Sequence, residues 1–140
     1  MQISSRFTIA IHILVFIEHY ANEYFITSDL LSASIQVHPV IIRNIMLKLK
    51  AAGMIRINRR RKGGKGTTLA KPLEEITLYD VYEAVDCVKG SLFHFHEHPN
   101  PDCPVGKNIH AALDGTLLDL QNTFENKMKQ TTVRDIAEKI

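Results

Sequence analysis

Residues 38–53 have the sequence HPVIIRNIMLKLKAAG, and this stretch decides the fold. The residue before a proline is disfavoured in helical geometry and proline suits the first helical position, so His38 and Pro39 predict where a helix begins. Gly53 predicts its end, because glycine readily adopts the left-handed conformation that closes a helix. The helical spacing predicts a buried face at Ile42, Ile45, Met46 and Leu49, and an open face at His38, Val40, Arg43, Asn44, Leu47 and Lys48.

A shorter helix is predicted just before this one. Thr27 or Ser28 can cap it, and it should run to about residue 34 with Leu30, Leu31 and Ala33 facing inward. Residues 35–37 then form the turn. Two helices joined by a turn of three or four residues are typical of a helix-turn-helix, whose second helix enters the major groove of DNA with its N-terminal residues at the base edges.

A basic hairpin is predicted after Gly53. Residues 54–59 alternate like a strand, residues 63 and 64 supply a Gly-Gly tip, and residues 67–69 return. Six of the ten residues 56–65 are cationic. A hairpin of this kind directly after a helix-turn-helix predicts a wing, over about residues 54–70, that lies along the DNA backbone or in the minor groove.

The charge of the chain is unevenly distributed. Residues 30–73 carry ten lysines and arginines and no aspartate or glutamate. The whole chain is only +2, so the remainder sums to −8, from seven basic and fifteen acidic residues. DNA, with about one charge per 1.7 Å of duplex, is the commonest partner of such a surface. The alternative is a solvated cationic face with no partner.

Length and composition are those of a small globular protein. The 140 residues, 45% of them hydrophobic, suffice for one domain or for one domain with an appendage. Two cysteines sixteen positions apart make no disulfide framework. The apolar residues 7–17 are fewer than the roughly 20 that a membrane span needs. They predict a first helix, capped by Ser4 or Ser5 and ending near Tyr20, that is buried on several sides in a cytoplasmic protein.

The C-terminal half is predicted to contain a dimerisation helix. Residues 76–86 should form a fourth helix capped by Thr77, and Thr132 should cap a last helix to Ile140. Between them, residues 105–129 show a narrow apolar stripe that resembles a coiled-coil seam and implies a helix from a second subunit. Packing against the chain's own first helix is the alternative. The stripe consists of Ile109, Leu113, Leu117, Leu120 and Phe124.

Four stretches together resemble the Rrf2 family of bacterial winged-helix regulators, and the resemblance runs nearly end to end. They are SSRFTIAIHIL, HPVIIRNIMLKLKAAGMI, RRRKGGKGTTLAKP and ITLYDVYEAVD. The resemblance implies a homodimer whose long C-terminal helices cross and whose two wings straddle a palindrome. Cluster-binding relatives place three cysteines between the fourth helix and the dimer helix, whereas this chain has Cys103 there and Cys87 at the helix end. We therefore expect a member of the cluster-free branch, with no cofactor.

Residues 94–103 leave other chemistries open. His94, His96 and His98 alternate before Cys103, a donor set that suits zinc or copper although the spacing matches no strong signature, and an ordinary loop is the alternative. Cys103 also precedes the start of the long helix, where a lowered pKa would make the thiol an oxidation sensor. An enzyme using Cys103 and a histidine lacks a positioned third group. A non-specific nucleic-acid binder would share the charge without needing a dimer seam.

These observations predict a mainly α protein with a small β-hairpin wing, in which a winged helix-turn-helix domain is followed by a long C-terminal dimerisation helix. Residues 1–86 form the DNA-binding domain, residues 87–105 a sensor-type loop, and residues 106–140 the dimerisation helix and a C-terminal helix that packs back. The function predicted is a dimeric, sequence-specific transcriptional regulator, a repressor of a palindromic operator on double-stranded DNA, with no enzymatic activity, metal or membrane. The predicted DNA contacts are His38, Val40, Arg43, Asn44, Lys48, Arg59, Arg60, Arg61, Lys62 and Lys65.

Overall fold

A computed structural model describes residues 3–59, 64–86 and 90–140. It is mainly α-helical with one two-stranded antiparallel hairpin, which confirms the predicted fold class. A single 3-10 turn, Leu73–Glu75, follows the hairpin. The elements in chain order are α1 (Arg6–Tyr20), α2 (Ser28–Ile35), α3 (Pro39–Ala51), β1 (Ile55–Ile57), β2 (Thr67–Leu69), α4 (Leu78–Ala84), α5 (Pro104–Gln130) and α6 (Val133–Ala137).

Helix α1 is the hub of the core. Ala10, Ile13, Leu14 and Ile17 are completely buried on it, and α2, α3, β2, α4 and α6 all pack around it. Each buried isoleucine or leucine contributes about 1.5–3 kcal/mol relative to an exposed one. The sequence prediction of a first helix buried on several sides is therefore confirmed.

Three local features fix the two ends of α2 and the start of α3. The Thr27 hydroxyl accepts a 3.1 Å hydrogen bond from the Leu30 N–H and caps α2. Gln36 closes α2 with a left-handed φ of 59°. His38 then caps α3, whose buried residues are the four that the sequence predicts. One expectation was wrong: Ala33 is exposed, because it lies about 200° around α2 from the buried Leu31.

The hairpin is fixed at its base to the segment that precedes α2. Strands β1 and β2 pair with Ile55 opposite Leu69 and Ile57 opposite Thr67, so β1 is shorter than the predicted residues 54–59. Gly66 has a φ of 74°, and a Cβ there would lie 2.4 Å from the carbonyl oxygen of Ile26. The Thr67 N–H donates a 2.9 Å hydrogen bond to the same carbonyl. Most of the predicted tip, residues 60–63, lies outside the described residues.

Helices α4 and α6 are both shorter than predicted. Residue 76 does not begin α4, because Ile76 is extended: its carbonyl accepts a 2.8 Å hydrogen bond from the Val133 N–H, and Thr77 faces Thr132 in an antiparallel bridge. Thr77 caps α4 as predicted, in a capping box with Asp80. Helix α4 ends before Asp86, and α6 stops three residues short of Ile140.

Helix α5 has 27 residues, about 40 Å by helical rise. Among the described residues, its principal partner in the chain is α4, so packing against the first helix, the alternative, is not its main contact. The Phe124 ring packs edge-on against Tyr82 with centroids 6.2 Å apart, and the Lys129 ammonium lies 4.5 Å from the centroid of the Tyr79 ring. Met128 is buried beside them.

Within the described residues, no single helix is long and apolar enough to cross a membrane. Helices α2 and α3 pass such a test together, by length and composition alone, as a pair bent by 113°.

Candidate nucleic-acid interface

The open face of α3 carries polar and apolar side chains side by side. Arg43 and Asn44 are exposed, as are Val40 and Leu47, which lie one turn before and one turn after them. The opposite face of the helix is held in the core by Ile42, Ile45, Met46 and Leu49. The open face is therefore presented on a rigid element, as recognition of a groove requires.

A cleft of about 470 Å³ separates this open face from the wing. Arg43 and Asn44 line it from α3, Asn58 and Arg59 line it from the segment that follows β1, and Ser28 lines it from the start of α2. The Arg43 guanidinium lies 3.5 Å from the Ser28 hydroxyl, the outer limit of a hydrogen bond. Three predicted contact residues, Arg43, Asn44 and Arg59, are thus brought to one cleft.

His38 has a structural role in addition to its exposed position. Its Nδ1 accepts a 3.2 Å hydrogen bond from the Val40 N–H and caps α3. In the neutral ring the proton is therefore on Nε2, because Nδ1 acts as the acceptor. His38 sets the direction in which α3 starts, whether or not it also contacts a base.

Two predicted DNA-contact lysines already have partners. The Lys48 ammonium lies 3.4 Å from a carboxylate oxygen of Asp86, at the end of α4. The Lys65 ammonium donates a 3.1 Å hydrogen bond to the side-chain oxygen of Asn22. Neither lysine lines the cleft.

Only some of the residues predicted to contact DNA belong to the part of the chain that the structure describes. Arg60, Arg61 and Lys62 lie outside the described residues. Ser28 and Asn58 were not predicted as site residues, and only the first had a signal in the sequence: it stands at the N-terminus of α2, where backbone N–H groups favour anions. Asn58 had none, because its place in the cleft depends on how the hairpin folds against α3.

The predicted seam on α5 is open over much of its length. Leu120 is 52% exposed, Leu113 is also exposed, and Ile109 and Leu117 are half-buried. Phe124 packs in part against Tyr82 of α4. Leu118, 58% exposed, projects from the other side of the helix. An apolar strip is thus available on α5 beyond the part that α4 covers.

Residues 94–103 do not form a metal-binding cluster. His94, His96 and His98 are exposed, and His96 stacks on His110 of α5 with ring centroids 5.5 Å apart. Among the described residues, no three His, Cys, Asp or Glu side chains come close enough together to hold a metal ion. The metal hypothesis for these histidines therefore gains no support from the geometry.

Cys103 stands at the N-terminal cap of α5 and is partly exposed. The backbone N–H of Gly106 and then that of Val105 lower the pKa of the Cys103 thiol, because they favour the thiolate, while partial burial opposes them. Cys87, the other cysteine, lies outside the described residues.

The fold is that of a winged helix-turn-helix protein. A profile of the Rrf2 family, described as an iron-dependent transcriptional regulator, matches residues 3–139. The chain belongs to the Rrf2 family, and it is a DNA-binding transcriptional regulator of that family.

Known relatives resemble the chain over nearly its whole length. YwnA of Bacillus subtilis (strain 168), named as an HTH-type transcriptional regulator, is 37% identical over 134 residues, 96% of each protein. A crystal structure described as a DNA-binding protein is 30% identical, with a TM-score of 0.68 over 94% of this chain and 98% of that one. CymR, described as the global cysteine regulator of B. subtilis, shares the fold, with a TM-score of 0.73 at 16% identity over 100% and 98% of the two chains.

The family description raises the question of whether this chain holds iron. Iron–sulfur clusters normally take four ligands, most of them thiolates. Among the residues that the structure describes, Cys103 is the one cysteine, and no cluster of three donor side chains surrounds it. The described side chains do not fit an iron centre, and no step of the function proposed below passes through one.

Proposed function

We propose that this protein is a homodimeric, sequence-specific repressor that places α3 in the major groove of a palindromic operator and lays its wing along the adjoining backbone. The observation that carries the proposal is the convergence of Arg43, Asn44 and Arg59 on one cleft. Most residues that line this cleft lie within residues 30–73, where ten cations and no acidic residue are found. We infer a cytoplasmic protein, because chromosomal DNA is the proposed partner.

The residues divide by the kind of contact that they can make. Arg43 can donate two hydrogen bonds to guanine, and Asn44 can pair with adenine, each worth about 1–3 kcal/mol of discrimination. Val40, at the second position of α3, and His38, at its cap, accompany them at the N-terminal end of the helix. Arg59 and the wing residues Arg60, Arg61, Lys62 and Lys65 serve the phosphates, and Lys48 does so where the helix leaves the groove.

A dimer follows from the seam on α5. We propose residues 1–86 as the DNA-binding domain, residues 87–105 as the sensor-type loop, and residues 106–140 as the dimerisation helix with a C-terminal helix that packs back on the domain. Ile109, Leu113, Leu117, Leu120 and Phe124 would meet their copies in a partner subunit, removing apolar surface from water. Two subunits then present two copies of α3 to two half-sites.

Selection from a randomised DNA duplex tests the proposal. The wild-type protein should enrich a palindrome whose half-sites are centred about 10–10.5 base pairs, or a multiple of this, apart. The variant in which both Arg43 and Asn44 are alanine should enrich no such site while still binding DNA at low salt. Retention of bulk DNA with no enriched sequence would instead identify a non-specific nucleic-acid binder.

Transcription from a promoter that carries the selected site tests the sign of the regulation. A repressor lowers the amount of transcript, and an activator raises it.

Thiol-based sensing through Cys103 is the second candidate function. The observation that favours it is the position of this partly exposed thiol at the N-terminal cap of α5, where backbone N–H groups lower its pKa. Peroxide oxidises a thiolate to a sulfenic acid and is itself reduced to water. Treated wild-type protein should then release its operator, whereas Cys103→Ser should keep it, and both should bind equally under reducing conditions. Equal release from both proteins would reject Cys103 as the sensor.

We also expect colourless protein after anaerobic purification, and brown protein with stoichiometric iron and sulfide would contradict this cofactor-free proposal.

A further inference from the structure

Two apolar side chains are exposed on the same face of α3. Val40 is 46% exposed and Leu47 is 54% exposed. They are seven residues apart, which is two helical turns, and both project from the side of α3 opposite the buried Leu49. Single apolar residues on a surface need no explanation. These two share one stripe of one helix, and the stripe is the one that carries the proposed base contacts.

The stripe has a defined order. Val40 comes first, Arg43 and Asn44 lie in the middle, and Leu47 comes last, at the helical spacing of neighbours on one face. By helical rise, Val40 and Leu47 are about 10.5 Å apart along the axis. This length corresponds to about three base-pair steps of duplex at 3.4 Å each.

The charge around the stripe limits what can cover it. Lys48 and Lys50 follow on α3, Arg56 and Arg59 stand on the adjoining hairpin, and residues 30–73 contain no acidic side chain. A surface with this charge is complementary to phosphate, so the occupant that fits is a DNA groove. The apolar group that the major groove offers is the C5 methyl of thymine, which cytosine lacks.

We propose that Val40 and Leu47 each contact a thymine methyl and so fix an A·T pair on either side of the bases that Arg43 and Asn44 recognise. This inference rests on the proposed function, since it requires α3 to enter the major groove. It assigns the base pairs of the half-site that apolar contacts, and not hydrogen bonds, would recognise. A half-site recognised in this way has two thymines separated by about three base-pair steps, with the guanine and adenine contacts between them.

Replacing thymine by deoxyuridine removes only the methyl group and tests the contact directly. On the site enriched by the wild type, each deoxyuridine at a contacted thymine should weaken binding about fourfold, the ratio that corresponds to about 0.8 kcal/mol for one buried methyl-sized group. In Val40→Ala the same deoxyuridine should no longer matter at one thymine, and in Leu47→Ala it should no longer matter at the other. Ile41→Ala is the matched control, because Ile41 is 43% exposed on the same helix but lies off the stripe. It should keep the full sensitivity at both thymines.

The outcomes separate this inference from the proposed function. Failure to enrich any sequence would reject sequence-specific binding and this inference with it. An enriched site whose affinity does not change with deoxyuridine, or changes equally in Val40→Ala, Leu47→Ala and the wild type, would leave the proposed function standing and overturn the methyl contacts. A change of oligomeric state in Leu47→Ala, with unaltered deoxyuridine sensitivity, would overturn them as well and assign the stripe to a protein contact.

Discussion

Lys48 on α3 and Asp86 at the end of α4 form an ion pair, with the ammonium 3.4 Å from the carboxylate. Asp86 has a φ of 48°, a left-handed conformation that aspartate and asparagine tolerate better than most residues. Its carbonyl oxygen also lies 3.4 Å from the Arg6 guanidinium of α1, which can donate to it. Asp86, just after the end of α4, is thereby held against both α1 and α3.

Asp86→Asn should strengthen DNA binding. The carboxylate competes with phosphate for Lys48, and asparagine removes the charge while tolerating the left-handed backbone. Since an exposed ion pair contributes at most about 1 kcal/mol and the proposed dimer has two, the gain in affinity at low salt should be no more than about thirtyfold. Filter binding or fluorescence anisotropy on a random duplex measures it. Glu138→Gln, which removes one acidic charge beyond the end of α6, is the control and should bind like the wild type. An equal gain in both variants would mean that only net charge matters.

The wing should determine the salt dependence of binding. Each phosphate neutralised contributes about −0.9 to the slope of log affinity against log salt concentration. Changing Arg59, Arg60 and Arg61 to alanine removes six cations per dimer, so the slope should flatten and affinity should fall similarly on all sequences. Lys139→Ala, which removes a cation outside the cation-rich residues 30–73, is the control and should leave the slope unaltered. If the triple variant also kept the wild-type slope, the wing would not touch DNA.

Leu120→Asp should dissociate the dimer. An aspartate in an apolar interface costs several kcal/mol unless it stays hydrated. Leu120 is 52% exposed in the single chain, so the subunit itself should still fold. Leu118→Asp introduces the same charge on the same helix at a residue that is 58% exposed on the other side. Sedimentation should show monomer for Leu120→Asp and dimer for Leu118→Asp. The reverse result would move the interface to the opposite side of α5.

The contact between Arg134 of α6 and Glu74 of the 3-10 turn should make the free energy of unfolding depend on pH. The Arg134 guanidinium donates hydrogen bonds of 2.7 Å to Glu18 of α1 and 3.2 Å to Glu74. The pKa of Glu74 lies below its ordinary value of 4.5. The first cause is the hydrogen bond that its carboxylate accepts from the backbone N–H of the same residue, and the second is the contact with Arg134. A carboxylate with a depressed folded pKa stabilises the fold above the unfolded pKa and loses that contribution as the pH falls through the folded value.

Glu74→Gln should therefore lower the melting temperature at pH 7 and lose less stability than the wild type as the pH falls below 4.5. Glu75→Gln, the neighbouring exposed carboxylate of the same turn, is the matched control for lost charge. Thermal unfolding between pH 7 and pH 3 measures both. Parallel curves for Glu74→Gln and the wild type would show that this carboxylate makes no net contribution.

Local chemistry made much of the fold predictable from the sequence. His38 and Pro39 defined the start of α3, and Gly53, with a φ of 75°, its end. The prediction of where α4 begins failed because it depended on a distant partner. Ile76 is extended and not helical because it pairs with Val133, 57 positions away in the sequence. The contact between Asp86 and Lys48 joins residues 38 positions apart, so no local pattern could have indicated it.

The affinity of the selected operator relative to a random duplex tests most directly whether α3 recognises bases. Arg43→Ala and Asn44→Ala should each lower this ratio, by the equivalent of about 1–3 kcal/mol for each half-site, while leaving most of the non-specific binding. Arg59→Ala, a change in the same cleft but in the segment that follows β1, should weaken binding to both duplexes alike and leave the ratio unchanged. If Arg43→Ala and Asn44→Ala also weaken both duplexes equally, these residues contact only the backbone, and the recognition that we propose for α3 is contradicted.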